Sequence, residues 1–228
     1  MTARAHKIGM RWARVRVGGV VLVALLLGAL ITWVVATSGS RVHATSRDPL
    51  SSQLEQARAV TARYPTVAAA EAVGYKRVGY FSPGAGAHYV DEGDKSGPGA
   101  VDVPRPTAYV YDGVSPTSRV VGLMYYSESP TAPDGFTGRD DHWHRHGSVC
   151  SKRSNGEVDI LLPGDADLTR AQCDAVNGRF HERSGWMLHA WVVPGWETPD
   201  GVFSHAHPQL HCGDGTDAVD GLGYCAGT

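Results

Sequence analysis

The stretch TAYVYDGVSPTSRVVGLMYYS, residues 107–127, decides how the rest of the chain is read. It is dense in tyrosine and valine, which suit a pleated, half-buried surface. TAYVYDG and SRVVGLMYYS predict two strands, joined by a turn around Asp112–Pro116 where Asp, Gly, Ser and Pro gather. The second strand is apolar on both faces, so it belongs in the middle of a sheet. More strands and a cover must come from the flanks.

Upstream, Ser51-Ser52 precede QLEQARAVTARY, with Leu54, Ala57, Val60 and Tyr64 at helical spacing. Pro65 opens a second helix, TVAAAEAV, which Gly74 ends. GYFSPGAGAHYV follows, rich in Gly and aromatics, and then a loop, DEGDKSGPGAVDVPRP. Downstream, HWHRHGSVC reads as a strand by alternation, DLTRAQCDAVNG as a short helix, and WMLHAWVV as a further strand. The short helix carries a capping box from Thr169 to Gln172 and has Gly178 as its stop. The expected fold class is α+β: two short helices, then one antiparallel β-rich domain with disulfides.

The N-terminus has a different composition. Five basic side chains and no acid precede residue 37; five of the 21 Lys and Arg leave 16 to set against all 23 acids in the remainder. That acidic balance argues against nucleic acid as a partner. VGGVVLVALLLGALITWVVA, residues 17–36, is uncharged and about 30 Å long as a helix. It predicts an N-terminal transmembrane helix, with a cleaved signal peptide as the alternative. Basic residues on its N-terminal side place residues 1–16 in the cytoplasm and the main domain outside the cell membrane. The expected organisation is a basic tail (1–16), a membrane anchor (17–36), a linker (37–48), an extracytoplasmic β-rich domain (49–212) and a Gly/Asp-rich tail (213–228). Export favours disulfides among the four cysteines. The sequence-local pairings, Cys150–Cys173 and Cys212–Cys225, are preferred, and no C-x-x-C pair suggests metal.

Nine of the eleven histidines follow residue 80. On a strand, His142, His144 and His146 share one face, with neighbours about 7 Å and ends about 13 Å apart. Metal–imidazole bonds are only about 2 Å. The row therefore offers one metal two ligands, and the others must come from elsewhere. His205 and His207 in SHAHP form a second H-x-H pair. His189 sits on an apolar strand face with Met187 and Trp191, where burial keeps an imidazole neutral. His88 follows Gly84 and Gly86, which let the backbone approach closely. Imidazole-rich ligation without cysteine suits zinc or copper. The candidate ligands are His88, His142, His144, His146, His189, His205 and His207, and they must converge in space. No G-x-S-x-G or H-E-x-x-H motif points to another chemistry. Asp140, Asp141 and Glu197 read first as solvated loop carboxylates. The function expected is a membrane-anchored, extracytoplasmic metal-binding protein. The alternative is a non-catalytic envelope or ligand-binding module whose histidines line a metal-free polar pocket.

ARAVTARYPTVAAAEAVGY, GAGAHYV, RVVGLMYYS and LHAWVVPGWETPDGVFSHAHP, in that order, resemble an uncharacterised family of exported, His-rich bacterial proteins. The resemblance spans about residues 55–212. It rests on a Gly-x-Gly-x-His-Tyr segment, a Leu-His-x-Trp segment, a Gly-x-Phe turn and a residue-Pro pair. It implies that His88 and His189 are the shared histidines. Two departures stand out: His207-Pro208 occupies a place where relatives carry Asn-Pro, and DHWHRH belongs to a subset of members. The resemblance implies a site and no assigned activity.

Overall fold

The computed structural model describes residues 48–91, 101–154, 157–161, 168–218 and 225, all within one compact unit, Arg47–Thr228. Helix α1, Pro49–Thr61, has proline in its first turn, where a missing N–H costs nothing. Leu50, Leu54, Ala57 and Thr61 recur every three or four residues and turn inward. Helix α2, Val67–Glu71, is capped by Thr66, whose Oγ1 accepts from the Ala69 N–H at 3.3 Å. Gly74, at φ +101°, ends that turn.

Among the described residues one sheet has eight strands: β1 (Lys76–Ser82), β2 (Gly86–Val90), β3 (Ala108–Tyr111), β4 (Val120–Ser127), β5 (Val149–Ser154), β6 (Glu157–Leu161), β7 (Arg179–His181) and β8 (Trp186–Ala190). Their order is β7-β5-β6-β1-β2-β3-β4-β8. Every pairing is antiparallel except β1 with β6. The hairpin of residues 107–127 forms as expected, as β3 and β4, but β4 lies next to the edge strand β8 and not in the middle of the sheet; it is apolar on both faces because it is flanked by β3 and β8.

The two faces of this sheet carry different chemistry. Tyr89, Tyr109 and Leu123 stand in register on one face, with Tyr125 opposite Leu188 on the same side. The helices cover this face. The Tyr109 hydroxyl donates to the Val60 carbonyl at 3.3 Å, and that of Tyr111 to the Tyr64 carbonyl at 2.9 Å. Each tyrosine thus buries its ring and still satisfies its hydroxyl. The other face carries His88, Val110 and Gly122 in one row and Ala108, Met124 and His189 in the next. The candidate site lies on this second face.

Both disulfides have the expected pairing. Cys150–Cys173 spans 5.5 Å between Cα atoms, and Cys212–Cys225 spans 5.4 Å. The first fastens β5 to helix α3, Arg170–Ala175, which starts at the expected Thr169 capping box. The stop of this helix differs from expectation. Asn177, not Gly178, takes the left-handed conformation, at φ 54°. Gly178 instead makes room for the disulfide, because a Cβ there would collide with Cys150 Sγ and Cys173 Sγ. Gly178→Ala is expected to lower stability by about 1–3 kcal/mol through overpacking, read as a drop in urea midpoint with the m-value unchanged.

Two expectations are corrected. HWHRHGSVC is not a strand along its length: before β5 begins at Val149 it makes one isolated bridge, His144 to Met187. The segment lies along the outer edge of β8, but β8 starts only at Trp186. His146 therefore meets the turn at Ser184, whose hydroxyl accepts its N–H at 2.8 Å. The membrane reading is corrected as well. No described helix is long and apolar enough to cross a membrane. Helix α1, with 13 residues, is about 20 Å long, against about 30 Å for a hydrocarbon core. Residues 17–36, on which the anchor is expected, lie outside those described. The membrane partner and the single-pass location expected from that anchor are corrected with it, since no described helix supplies a span.

Candidate metal centre

His88 reaches the site from β2 and His189 from β8, three places away in the sheet. In a flat sheet those strands would stand about 14 Å apart. Their Nε2 atoms are 3.1 Å from each other, so the sheet curls around this face. The loop after β8 closes the site. His207 N–H donates to the Gly84 carbonyl and Gly84 N–H to the Leu210 carbonyl, both at 2.8 Å. Gly84, at φ +76°, has Ala206 Cβ only 3.1 Å from where its own Cβ would stand. The close approach expected of this Gly-rich turn is thus made by the SHAHP loop, and it carries His205 over the sheet.

Five histidines come together. His144 lies 5.4 Å from His189 between ring centroids, nearly parallel to it, and 3.9 Å from His205. His146 is 5.9 Å from both His144 and His205. One nitrogen from each of His144, His146 and His205 lies within 4.8 Å of the other two. A candidate His-based metal-binding cluster therefore exists. His189 stacks on Trp191 at 5.3 Å, which fixes its ring plane.

The electrostatics keep three of these rings, His88, His144 and His189, neutral. Burial, with His146 adding to it, lowers the His88 pKa to about 4. Burial, then the proximity of His205, lowers that of His144 to about 4. Burial holds His189 well below the usual histidine range, and His88 and His144 push the same way. No carboxylate belongs to the cluster among the described residues. A neutral imidazole is the form that binds metal.

One tautomer is set by the backbone. His144 Nδ1 lies 3.3 Å from the His142 carbonyl, which can only accept, so Nδ1 carries the proton. His144 Nε2 is then a bare lone pair, buried and without a hydrogen-bond partner. His189 Nδ1 is likewise buried and unpartnered. Orphaned buried nitrogens are rare and costly, and a metal ion satisfies an imidazole lone pair.

Two of the seven expected ligands fall outside the cluster. His142 is exposed and contributes its carbonyl, not its ring. His207 is buried away from it between Trp191 and Trp196. Its Nε2 donates to the Trp196 carbonyl at 3.1 Å, and its Nδ1 accepts the Gln209 N–H at 3.2 Å. Both nitrogens are used, so His207 is a wedge for the loop. SHAHP is not a strand, so its alternate residues need not share a face. Outside the cluster, His211 pairs with Asp217 and His181 with Ser151.

No family model, curated protein or solved structure matches this chain.

Proposed function

We propose that this domain is a non-catalytic binding module, a pocket lined by imidazoles whose ligand is a divalent metal ion, zinc or copper(II). The ion is received by His144, His146 and His205. The observation that carries this reading is the bare, buried Nε2 of His144, its tautomer fixed by the His142 carbonyl. A carbonyl behind a metal-bound imidazole is the usual way such a ligand is oriented. Two metal–nitrogen bonds of 2.0–2.1 Å that meet at a tetrahedral angle set their nitrogens about 3.4 Å apart. The three nitrogens, within 4.8 Å, need to close by up to about 1.4 Å. His205 is exposed on a loop, where its ring can turn toward the other two. An all-nitrogen set with no sulfur or carboxylate suits zinc and copper(II) over calcium or magnesium.

The test is metal analysis of the tag-free protein, with cobalt(II) as a spectroscopic stand-in for zinc. One equivalent with a tetrahedral cobalt spectrum, lost in His144→Ala, is expected. A second reading keeps the pocket metal-free, and the direct His88–His189 contact favours it, because one ring can donate to the other without an ion. Protein that takes up no zinc, copper(II) or cobalt(II) supports that reading and overturns the first.

A further inference from the structure

His88 and His189 lie beyond the triad, deeper in the fold. His189 is 3% exposed, whereas His205 is exposed. The register of β4 and β8 sets Met124 directly opposite His189. Opposed residues in an antiparallel pair point to the same face, with Cβ atoms about 4.5–5.5 Å apart. Met124 is itself buried, at 8% exposure. The register thus places Met124 beside His189 on the face that carries both imidazoles. In the next row, that of His88, Gly122 has no side chain, and Trp191 Cε3 lies 2.8 Å from where its Cβ would be. Trp191 can therefore lie against the sheet and hold the His189 ring edge-on toward His88.

We propose that His88, His189 and Met124 form a second, inner metal position that selects copper(I). Three properties favour that ion. The two Nε2 atoms are 3.1 Å apart, so bonds of about 2.0–2.1 Å meet at an ion with an angle near 100°. A thioether is a soft ligand, which selects copper(I) over zinc. The position is buried with no carboxylate in the cluster, and charge burial scales with the square of the charge. A monovalent ion then costs about a quarter of what a divalent one does. This inner position uses residues distinct from the triad, so the two fail separately.

The test titrates the full-length protein anaerobically with copper(I) against a chromogenic copper(I) chelator, with cobalt(II) binding followed in parallel. Tight uptake of copper(I) is expected, with a sulfur neighbour in its X-ray absorption spectrum. Met124→Leu conserves volume and keeps the melting temperature, and it is expected to weaken copper(I) at least about tenfold while leaving the cobalt(II) spectrum unchanged. His88→Gln is expected to weaken copper(I) further. Absence of copper(I) binding, a spectrum with nitrogen neighbours only, or affinity unchanged in both variants overturns the proposal. So does loss of copper(I) and cobalt(II) together in His205→Ala, which would mean one shared position. Copper(I) retained in a protein that never binds cobalt(II) overturns the triad and leaves the inner position standing.

Discussion

Lowering the pH from 7 to 4 in the absence of metal is expected to remove several kcal/mol of stability, most of it between pH 6.5 and 4. The unfolded chain protonates its histidines near pH 6.5. The folded chain holds His88 and His144 neutral until about pH 4, mainly because both are buried. Between those values the unfolded state binds protons that the folded state refuses, so stability falls as pH falls. Above pH 6.5 the two states are equally deprotonated and nothing is lost. Below about pH 4 the folded rings protonate too, and this contribution levels off. Each such histidine contributes a slope of up to about 1.4 kcal/mol per pH unit. Two of them across this window amount to about 5 kcal/mol, a large share of a typical 5–15 kcal/mol total. Urea denaturation at a series of pH values checks this, and a flat profile from pH 7 to 4.5 would contradict it. His88→Gln, which cannot titrate, should flatten the profile if it folds.

Saturating zinc at neutral pH is expected to raise the melting temperature by about 8–16 °C. An ion that binds only the folded state at 1,000 times its Kd stabilises by about 4 kcal/mol. For a domain of this size each kcal/mol shifts Tm by about 2–4 °C. The shift should disappear in His144→Ala, which removes the bare Nε2, and persist in His142→Ala, whose carbonyl remains. A shift equal in all three proteins would place the ion elsewhere.

Much of this fold is legible locally. The hairpin at residues 107–127 shows itself by β-branched and aromatic density around a turn, and strand pairing across a short turn needs no distant information. The Thr169 capping box is likewise a property of four consecutive residues. Cysteines 13 and 23 residues apart close small loops, which makes the local pairings the simplest ones. His189 stands on the expected strand face beside Trp191, because period 2 holds within a real strand.

The site is legible as a set of residues and not as an arrangement. His205 and His207 have the spacing of a ligand pair, yet one joins the cluster and the other wedges between two tryptophans. Spacing assigns a common face only where the backbone is regular, and SHAHP is a loop docked on Gly84. His142 departs from expectation for the same reason: DHWHRH is pinned to β8 at one bridge and follows no strand period. The role of its carbonyl, fixing the His144 tautomer, has no sequence signal at all. Met124 escapes a sequence reading because a methionine on a strand apolar on both faces reads as core; only the β4–β8 register sets it across from His189.

By itself, then, the sequence determined the elements whose causes are local: strands, caps, disulfide loops and a supply of histidines. The tertiary structure decided which histidines meet. That depends on a curled sheet bringing β2 to β8 and on a Gly84–Ala206 contact that lowers His205 onto them. Both are close approaches between segments more than a hundred residues apart, and side-chain periodicity carries no information at that range.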